Sequence, residues 1–453
     1  MAEQRTITTN IARTFLVQIP NYILTLATGI LVTRQLGPEA KGALMLMTAN
    51  VQLLVMFLGL NIPGAIQFFM ANKKIPPARL SLIAFVLLML STAILFLVLF
   101  IIPQTGNLLL AENYEAAFFK SYILVSFFMT NFGAITIGFI QGSFRFKELN
   151  YLTLINSILN FVIFGTLFYC DHKNLFDVGL KEVLFFYVVI SFINTGIGYL
   201  FFKKDLRTTL FSRFSSSDIK TMAAFLIPSY FSILVNFFNY RLTIWQVNYY
   251  EGTENLGYFS LALNFAQMML LVTISINTVL FPYFSAKTEW KDALKDFGFV
   301  LKVNSCIMFF ASLFLVFFSW FLVPFFYGSA FTPAITAVQI LSVGTFFCSQ
   351  SQVFGHFLGA RNKNWVNTFV YAIALACVAS LGPLLIPIFG IEGAAIASSA
   401  SYVLMFIIFC VYLKIKFNIS LFALIKITKA DIDRVKGILN RNLKKAENTA
   451  ENQ

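Results

Sequence analysis

Residues 37–46 read GPEAKGALML and residues 252–261 read GTENLGYFSL. Gly37, Glu39, Gly42 and Leu46 of the first stretch recur, 215 positions on, as Gly252, Glu254, Gly257 and Leu261 of the second. Other pairs keep nearly the same offset: Pro63 with Pro282 at 219, Gly142 of GSFRFKE with Gly359 of GARNKN at 217, and Gly179-Leu180 with Gly390-Ile391 at 211. A glycine at a loop end is common by itself. The shared offset carries the information, and it says that one half of the chain repeats the other.

Both stretches sit in apolar surroundings. Of 453 residues 58% are hydrophobic and 12% charged, with a mean hydropathy of +0.78; a soluble globular chain carries about 25% charged residues. Windows of about 19 residues find twelve apolar stretches, near 11–32, 42–69, 80–102, 117–140, 151–169, 183–202, 221–248, 257–284, 297–323, 333–358, 365–387 and 391–413. A helix crosses about 30 Å of hydrocarbon with about 20 residues, so each stretch can span. The chain reads as an all-α polytopic membrane protein of twelve transmembrane helices. Six spans per half give both halves one orientation, hence a parallel repeat about an axis along the membrane normal, as in transporters with two lobes around a central path. The expected divisions are an N-terminal lobe at 1–213, a C-terminal lobe at 214–416 and a tail at 417–453. No short apolar core with a small-residue cleavage site opens the chain, so the first span is expected to be retained.

Charge orients the spans. With the N-terminus in the cytoplasm, 27 of the 33 Lys and Arg fall on inner loops and tails, five (Arg34, Lys41, Lys120, Lys173 and Lys181) on outer loops, and Arg241 within a span. Inner loops carry the basic excess in membrane proteins, so both termini are expected in the cytoplasm. The net charge of +13 is then topological, and nucleic acid is not an expected partner. In the tail, residues 417–445 mix Ile, Leu and Phe with seven Lys and Arg, the composition of an amphipathic helix lying on anionic lipid. The AENTAENQ that follows reads as disordered.

Two spans carry matching polar rows. In the seventh, Ser232, Asn236, Asn239, Thr243 and Gln246 are spaced 4, 3, 4 and 3; in the first, Thr14, Gln18, Asn21, Thr25 and Thr28 repeat that spacing 218 positions earlier. At about 100° per residue each row occupies an arc of roughly 80°. A polar group facing lipid leaves its hydrogen bonds unmet, so such a row should face protein or water. It either lines a cavity shared by the two halves or joins neighbouring helices. Arg241 lies outside its row, roughly 120° or more from the nearest edge on an ideal helix, and Ile23 stands at the matching place in the first span. An arginine near mid-membrane costs about 3 kcal/mol on insertion scales. It either snorkels to the interface or holds an anion, and its guanidinium fork suits phosphate. All 20 Asp and Glu fall in loops, at span ends or in the tail, so no buried carboxylate is on offer to an organic cation. The cargo is expected to be neutral or anionic.

Enzyme chemistry finds little support. Cys170, Cys306, Cys348, Cys377 and Cys410 show no framework spacing, and no His or carboxylate cluster has metal-ligand spacing, so no metal site is expected. The longest outer loop, near 103–118, offers Glu112 and Glu115 without a base, nucleophile or metal ligand beside them. No Gly-rich phosphate loop is present, which speaks against direct use of ATP. A glycan polymerase or ligase is therefore not expected, nor is any cofactor.

RQLGPEAKGAL (34–44), YGSAFTPAITAVQIL (327–341), GARNKN (359–364) and IPIFGIEGAAIASSASY (386–402) resemble the signatures of the polysaccharide-biosynthesis flippase family. That family belongs to the superfamily of the multidrug and toxin extruders and the lipid II flippases. The resemblance covers roughly residues 10–415. It implies a bacterial inner-membrane protein of two six-helix lobes that passes an undecaprenyl-diphosphate-linked oligosaccharide from the cytoplasmic to the periplasmic leaflet by alternating access. A multidrug extrusion antiporter of the same superfamily is the alternative. The implied partners are the lipid-linked oligosaccharide, membrane lipids, a coupling ion, and glycan polymerase or export proteins. Relatives often carry an Asp shortly after the position resembling Arg241, where this chain has Thr243. The candidate site residues are Arg241, Arg13 at the inner mouth and Arg34 at the outer mouth for the diphosphate, with Gln18, Asn21, Thr25, Asn236, Asn239, Thr243 and Gln246 for the sugars. Arg13 and Arg34 can equally be anchors at helix ends.

Overall fold

A computed structural model describes residues 2–71, 75–101, 116–206, 216–286, 290–361 and 363–417. The expected tail helix lies outside the described residues, as does nearly all of the 103–118 loop. All regular structure among the described residues is helical: α1 (Ala2–Leu58), α2 (Ile62–Ala71), α3 (Pro77–Phe96, continued by a π-helical turn at Leu97–Ile101), α4 (Ala116–Gly142), α5 (Phe146–His172), α6 (Leu180–Leu206), α7 (Ser216–Ala286), α8 (Trp290–Tyr327), a 3₁₀ segment (Ser329–Ala334), α9 (Ile335–Ala360) and α10 (Asn364–Phe417). Among these residues nine helices are long and apolar enough to cross a membrane. The chain is therefore a multi-pass membrane protein.

Three of the nine are unusually long: Pro20–Leu58 with 39 residues, Ile233–Ile274 with 42 and Trp365–Phe417 with 53. At about 1.5 Å per residue each is about twice as long as the hydrocarbon core is thick, or more. Each is broken once, at Gly37 (φ 68°, ψ −179°), Gly252 (φ 79°, ψ −179°) and Gly390 (φ 57°, ψ −136°). The first two occupy a backbone region open essentially to glycine alone, and they are the two glycines that head the quoted stretches. Pro38 follows the first break, where its fixed φ and missing N–H suit the first turn of a new helix. In place of the expected outer loop between the first two spans there is a one-residue break, because glycine can kink the helical path without additional chain. The expected span at 42–69 is also divided. Leu60 and Asn61 adopt positive φ (48° and 54°), ending α1, and α2 restarts with Pro63 in its first turn.

Lipid tails are as apolar as leucine, so helices in a bilayer associate through close packing and polar contacts. Gly42 and Gly257 let the backbones of the two halves of the chain approach closely. A Cβ at position 42 would overlap the carbonyl oxygen of Thr253, and a Cβ at 257 would overlap that of Pro38. The contact is reciprocal, each turn resting a glycine on the other's backbone. Around it Ala43, Leu46 and Met47 of α1 pack in one buried apolar cluster with Phe259, Leu261 and Ala262 of α7. A second cluster gathers α8, α9 and α10 around Phe297, Phe354 and Phe409, and a third gathers α2, α3 and α4 around Phe69, Leu80 and Phe139.

Gly42→Ala and Gly257→Ala are each expected to cost about 1–3 kcal/mol through overpacking, read as a lower midpoint of thermal unfolding in detergent. A midpoint equal to the parent's would mean that the two turns need not touch.

Candidate functional site

Two neighbouring cavities lie beside the junction of α1 and α7. One, of about 340 Å³, is lined by Asn236, Tyr240 and Arg241 before the break in α7, by Leu263 and Gln267 after it, and by Gln352 of α9 and Tyr402 of α10 among others. The other, of about 400 Å³, takes its walls from both halves of the chain. Lys41, Thr48 and Gln52 come from α1; Tyr122, Ser126 and Thr130 from α4; Tyr187 and Ser191 from α6; Arg241, Asn264 and Gln267 from α7. Tyr122, Ser126 and Thr130 follow at four-residue intervals, as do Tyr187 and Ser191, so each helix turns one face inward. Arg241 and Gln267 belong to both cavities. Among the described residues, no Asp or Glu lines either one. The combined space falls in the size range of small-molecule sites, which is about 300–1,000 Å³.

The side of α7 that carries Arg241 is the one turned to these cavities. Of the polar row on the same helix, Asn236 also lines the smaller cavity, with its Oδ1 buried and without a hydrogen-bond partner. Asn239 is turned towards α10 instead: its Oδ1 accepts from the Ser401 hydroxyl at 3.0 Å and its Nδ2 lies 3.3 Å from the Met405 sulfur. Gln246 lies against Gly382 of α10, and Thr243 is buried. In the first row, Asn21 accepts from the Ser157 hydroxyl of α5, Thr25 is exposed and Thr28 bonds back to the Leu24 carbonyl at 2.8 Å. Arg34 donates from Nη2 to the Phe325 carbonyl oxygen at 2.8 Å, joining α1 to the end of α8. The side chains of Arg13, Thr14, Gln18 and Ser232 lie outside the described residues.

One buried hydrogen bond spans the two halves close to the site. Trp245 Nε1 donates to Asn50 Oδ1 at 2.7 Å, and Asn50 is 2% exposed. Its neighbours Phe57 and Phe238 meet edge to face with ring centroids 5.9 Å apart.

Sequence reasoning missed Lys41, assigned above to an outer loop, because the loop it predicted is the single residue Gly37. It also missed Gln52 and Gln267. These two stand 215 positions apart, the offset of Gly37 and Gly252, and they line the same cavity. That offset was the signal that could have found them.

The chain matches the polysaccharide biosynthesis protein family over residues 7–287. No curated protein sequence matches it. Its fold is similar to an inward-facing multidrug resistance transporter of the MATE family, in the MOP superfamily (16% identity, 88% of this chain and 94% of the other, TM-score 0.70). It is also similar to the lipid II flippase MurJ in an inward closed conformation (16%, 89% and 87%, 0.64). A third similar structure is a MOP superfamily transporter from Pyrococcus furiosus, described as having a binding pocket of reverse polarity (16%, 93% and 96%, 0.63). At these identities the likeness establishes the fold.

Asn50→Ala leaves the Trp245 N–H buried without an acceptor and is expected to cost about 1–3 kcal/mol, measured as a lower unfolding midpoint in detergent. Trp245→Phe in the Asn50→Ala background should then cost less than it does in the parent; full additivity would dissolve the link between the two side chains.

Proposed function

The chain belongs to the polysaccharide biosynthesis protein family, and from that premise we propose that it is a flippase. It passes an undecaprenyl-diphosphate-linked oligosaccharide from the cytoplasmic to the periplasmic leaflet of a bacterial inner membrane. The observation that carries the reading is Arg241, on the wall common to two cavities that no carboxylate among the described residues lines. A guanidinium there presents a planar fork to a phosphoryl group, and the cavity's lack of acidic residues disfavours the cationic cargo of many drug extruders.

The proposed architecture is twelve spans in two six-helix lobes, 1–213 and 214–416, related by a parallel repeat. The matched breaks at Gly37 and Gly252 support this reading, as do three apolar helices long enough to cross twice. Both termini are proposed to be cytoplasmic, on the strength of the basic inner loops. The mechanism is alternating access. The diphosphate engages Arg241, the sugars meet the polar cavity walls, and the polyprenyl tail stays in lipid through a gap between the lobes. Asn236 is the row residue at the cavity in this state. Gln18, Asn21, Thr25, Asn239, Thr243 and Gln246 would reach the sugars as the lobes rock and neighbouring helices release them. Arg13 and Arg34 are the proposed contacts at the two mouths. A coupling ion and downstream glycan polymerase or export proteins complete the proposed partners.

Purified protein in liposomes carrying a fluorescent short-chain polyprenyl-diphosphate oligosaccharide tests the reading, by the label that becomes accessible on the far leaflet. Arg241→Ala removes a charge-assisted contact worth about 1.5–3 kcal/mol, so the initial rate should fall about 10- to 100-fold with insertion intact. Lipid that stays in place while neutral drugs are moved would replace the flippase with the multidrug extruder. An unchanged rate in Arg241→Ala would remove Arg241 from the mechanism.

A further inference from the structure

Lys41 and Arg241 line one cavity and come from opposite halves of the chain, Lys41 from the first turn after the break in α1 and Arg241 from about three turns before the break in α7. Both are partly buried. Among the described residues neither makes a hydrogen bond or an ion pair, and no carboxylate lines the space they share. Each is a charge withdrawn from water without a counter-charge, which is unfavourable through lost hydration. The cavity is electrostatically incomplete until an anion enters it.

We propose that Lys41 and Arg241 form a two-cation clamp that takes one diphosphate between the two halves of the chain. The proposal rests on the flippase reading for the carrier of that diphosphate, and it adds a second binding residue and a selectivity. Arginine presents a rigid fork that grips one phosphoryl group through two oxygens, whereas the compact ammonium of lysine acts as a point charge on a flexible stem. Two cations of this kind suit two linked phosphoryl groups better than one, so the clamp selects a diphosphate over a monophosphate. Hydroxyls of Ser126, Thr130 and Ser191 and the amides of Gln52 and Gln267 supply neutral donors around it.

The placement also ties binding to the junction of the halves. Lys41 is bonded to Gly42, which rests on the Thr253 carbonyl. An anion shared by Lys41 and Arg241 is held by one residue from each half of the chain. The loaded protein is therefore the one whose halves are held together, with the cargo's own charge as the link.

Titration calorimetry on the full chain in nanodiscs tests this, with farnesyl diphosphate, farnesyl monophosphate and farnesol as probes. The parent should bind the diphosphate at least tenfold more tightly than the monophosphate. Lys41→Gln and Arg241→Gln should each weaken diphosphate binding tenfold or more, leave farnesol unchanged, and combine to less than the product of their separate effects. Lys41→Arg should restore most of the affinity, which a merely structural role for Lys41 would not predict. Parental diphosphate affinity in Lys41→Gln would overturn the clamp, and so would an equal loss for farnesol or a parent that binds no diphosphate. The two readings fail separately. Transport of the lipid-linked oligosaccharide by a protein whose Lys41→Gln variant binds diphosphate normally removes the clamp and keeps the flippase. Lys41-dependent diphosphate binding without transport keeps the clamp and removes the flippase.

Discussion

Apolar burial does not hold helices together where the solvent is itself hydrocarbon. What remains is contact geometry and the few polar groups that cannot be left unmet. Here the decisive contact is backbone on backbone, Gly42 against Thr253 and Gly257 against Pro38. Only residues without a side chain permit it. The large hydrophobic residues of that region, such as Phe259 and Met47, fill space around a junction that glycine sets. The cavities flank this junction, and the cation nearest to it, Lys41, is the residue next to one of the glycines.

Polar groups in the seventh span then divide by direction. Asn239 and Gln246 are turned to α10, where a hydroxyl, a thioether and a glycine receive them. Arg241 lines the two cavities instead. This is the ordinary economy of a membrane helix: a neutral amide finds a neighbour, whereas a charge without a carboxylate partner stays beside a cavity that water or cargo can fill.

The fold was largely legible. Apolar windows found the long helices to within a few residues at most ends, since hydropathy and helix length are local properties of the chain. The pairing of Gly37 with Gly252 was legible too, because the repeated residues are those whose backbone conformation no other residue adopts readily. Less legible was which face of a span meets which neighbour. A helix that is apolar nearly all round offers little amphipathic signal, and a row of amides reads the same whether it meets water or another helix. The 3.6-residue period set Arg241 apart from its row, yet Asn236 of that row lines the smaller cavity with it; the larger cavity depends on α4 and α6, which lie far away in sequence. Lys41 was hidden by a loop that does not exist, since a single glycine does the work expected of about nine residues (33–41).

The reciprocity of the glycine contact bears on how the two halves can diverge. An interface in which each side offers the same feature to the other is self-complementary, as at the twofold axis of a homodimer. Elsewhere each half drifts against its own neighbours: position 23 is Ile and position 241 Arg, position 41 is Lys and position 256 Leu. At the contact, a side chain gained at either glycine collides with the backbone of the other turn, which no substitution there can trim away. Substitution is thus sterically blocked at both glycines and open around them, so a polar cavity can hold two unlike cations beside a contact whose geometry is the same from either side.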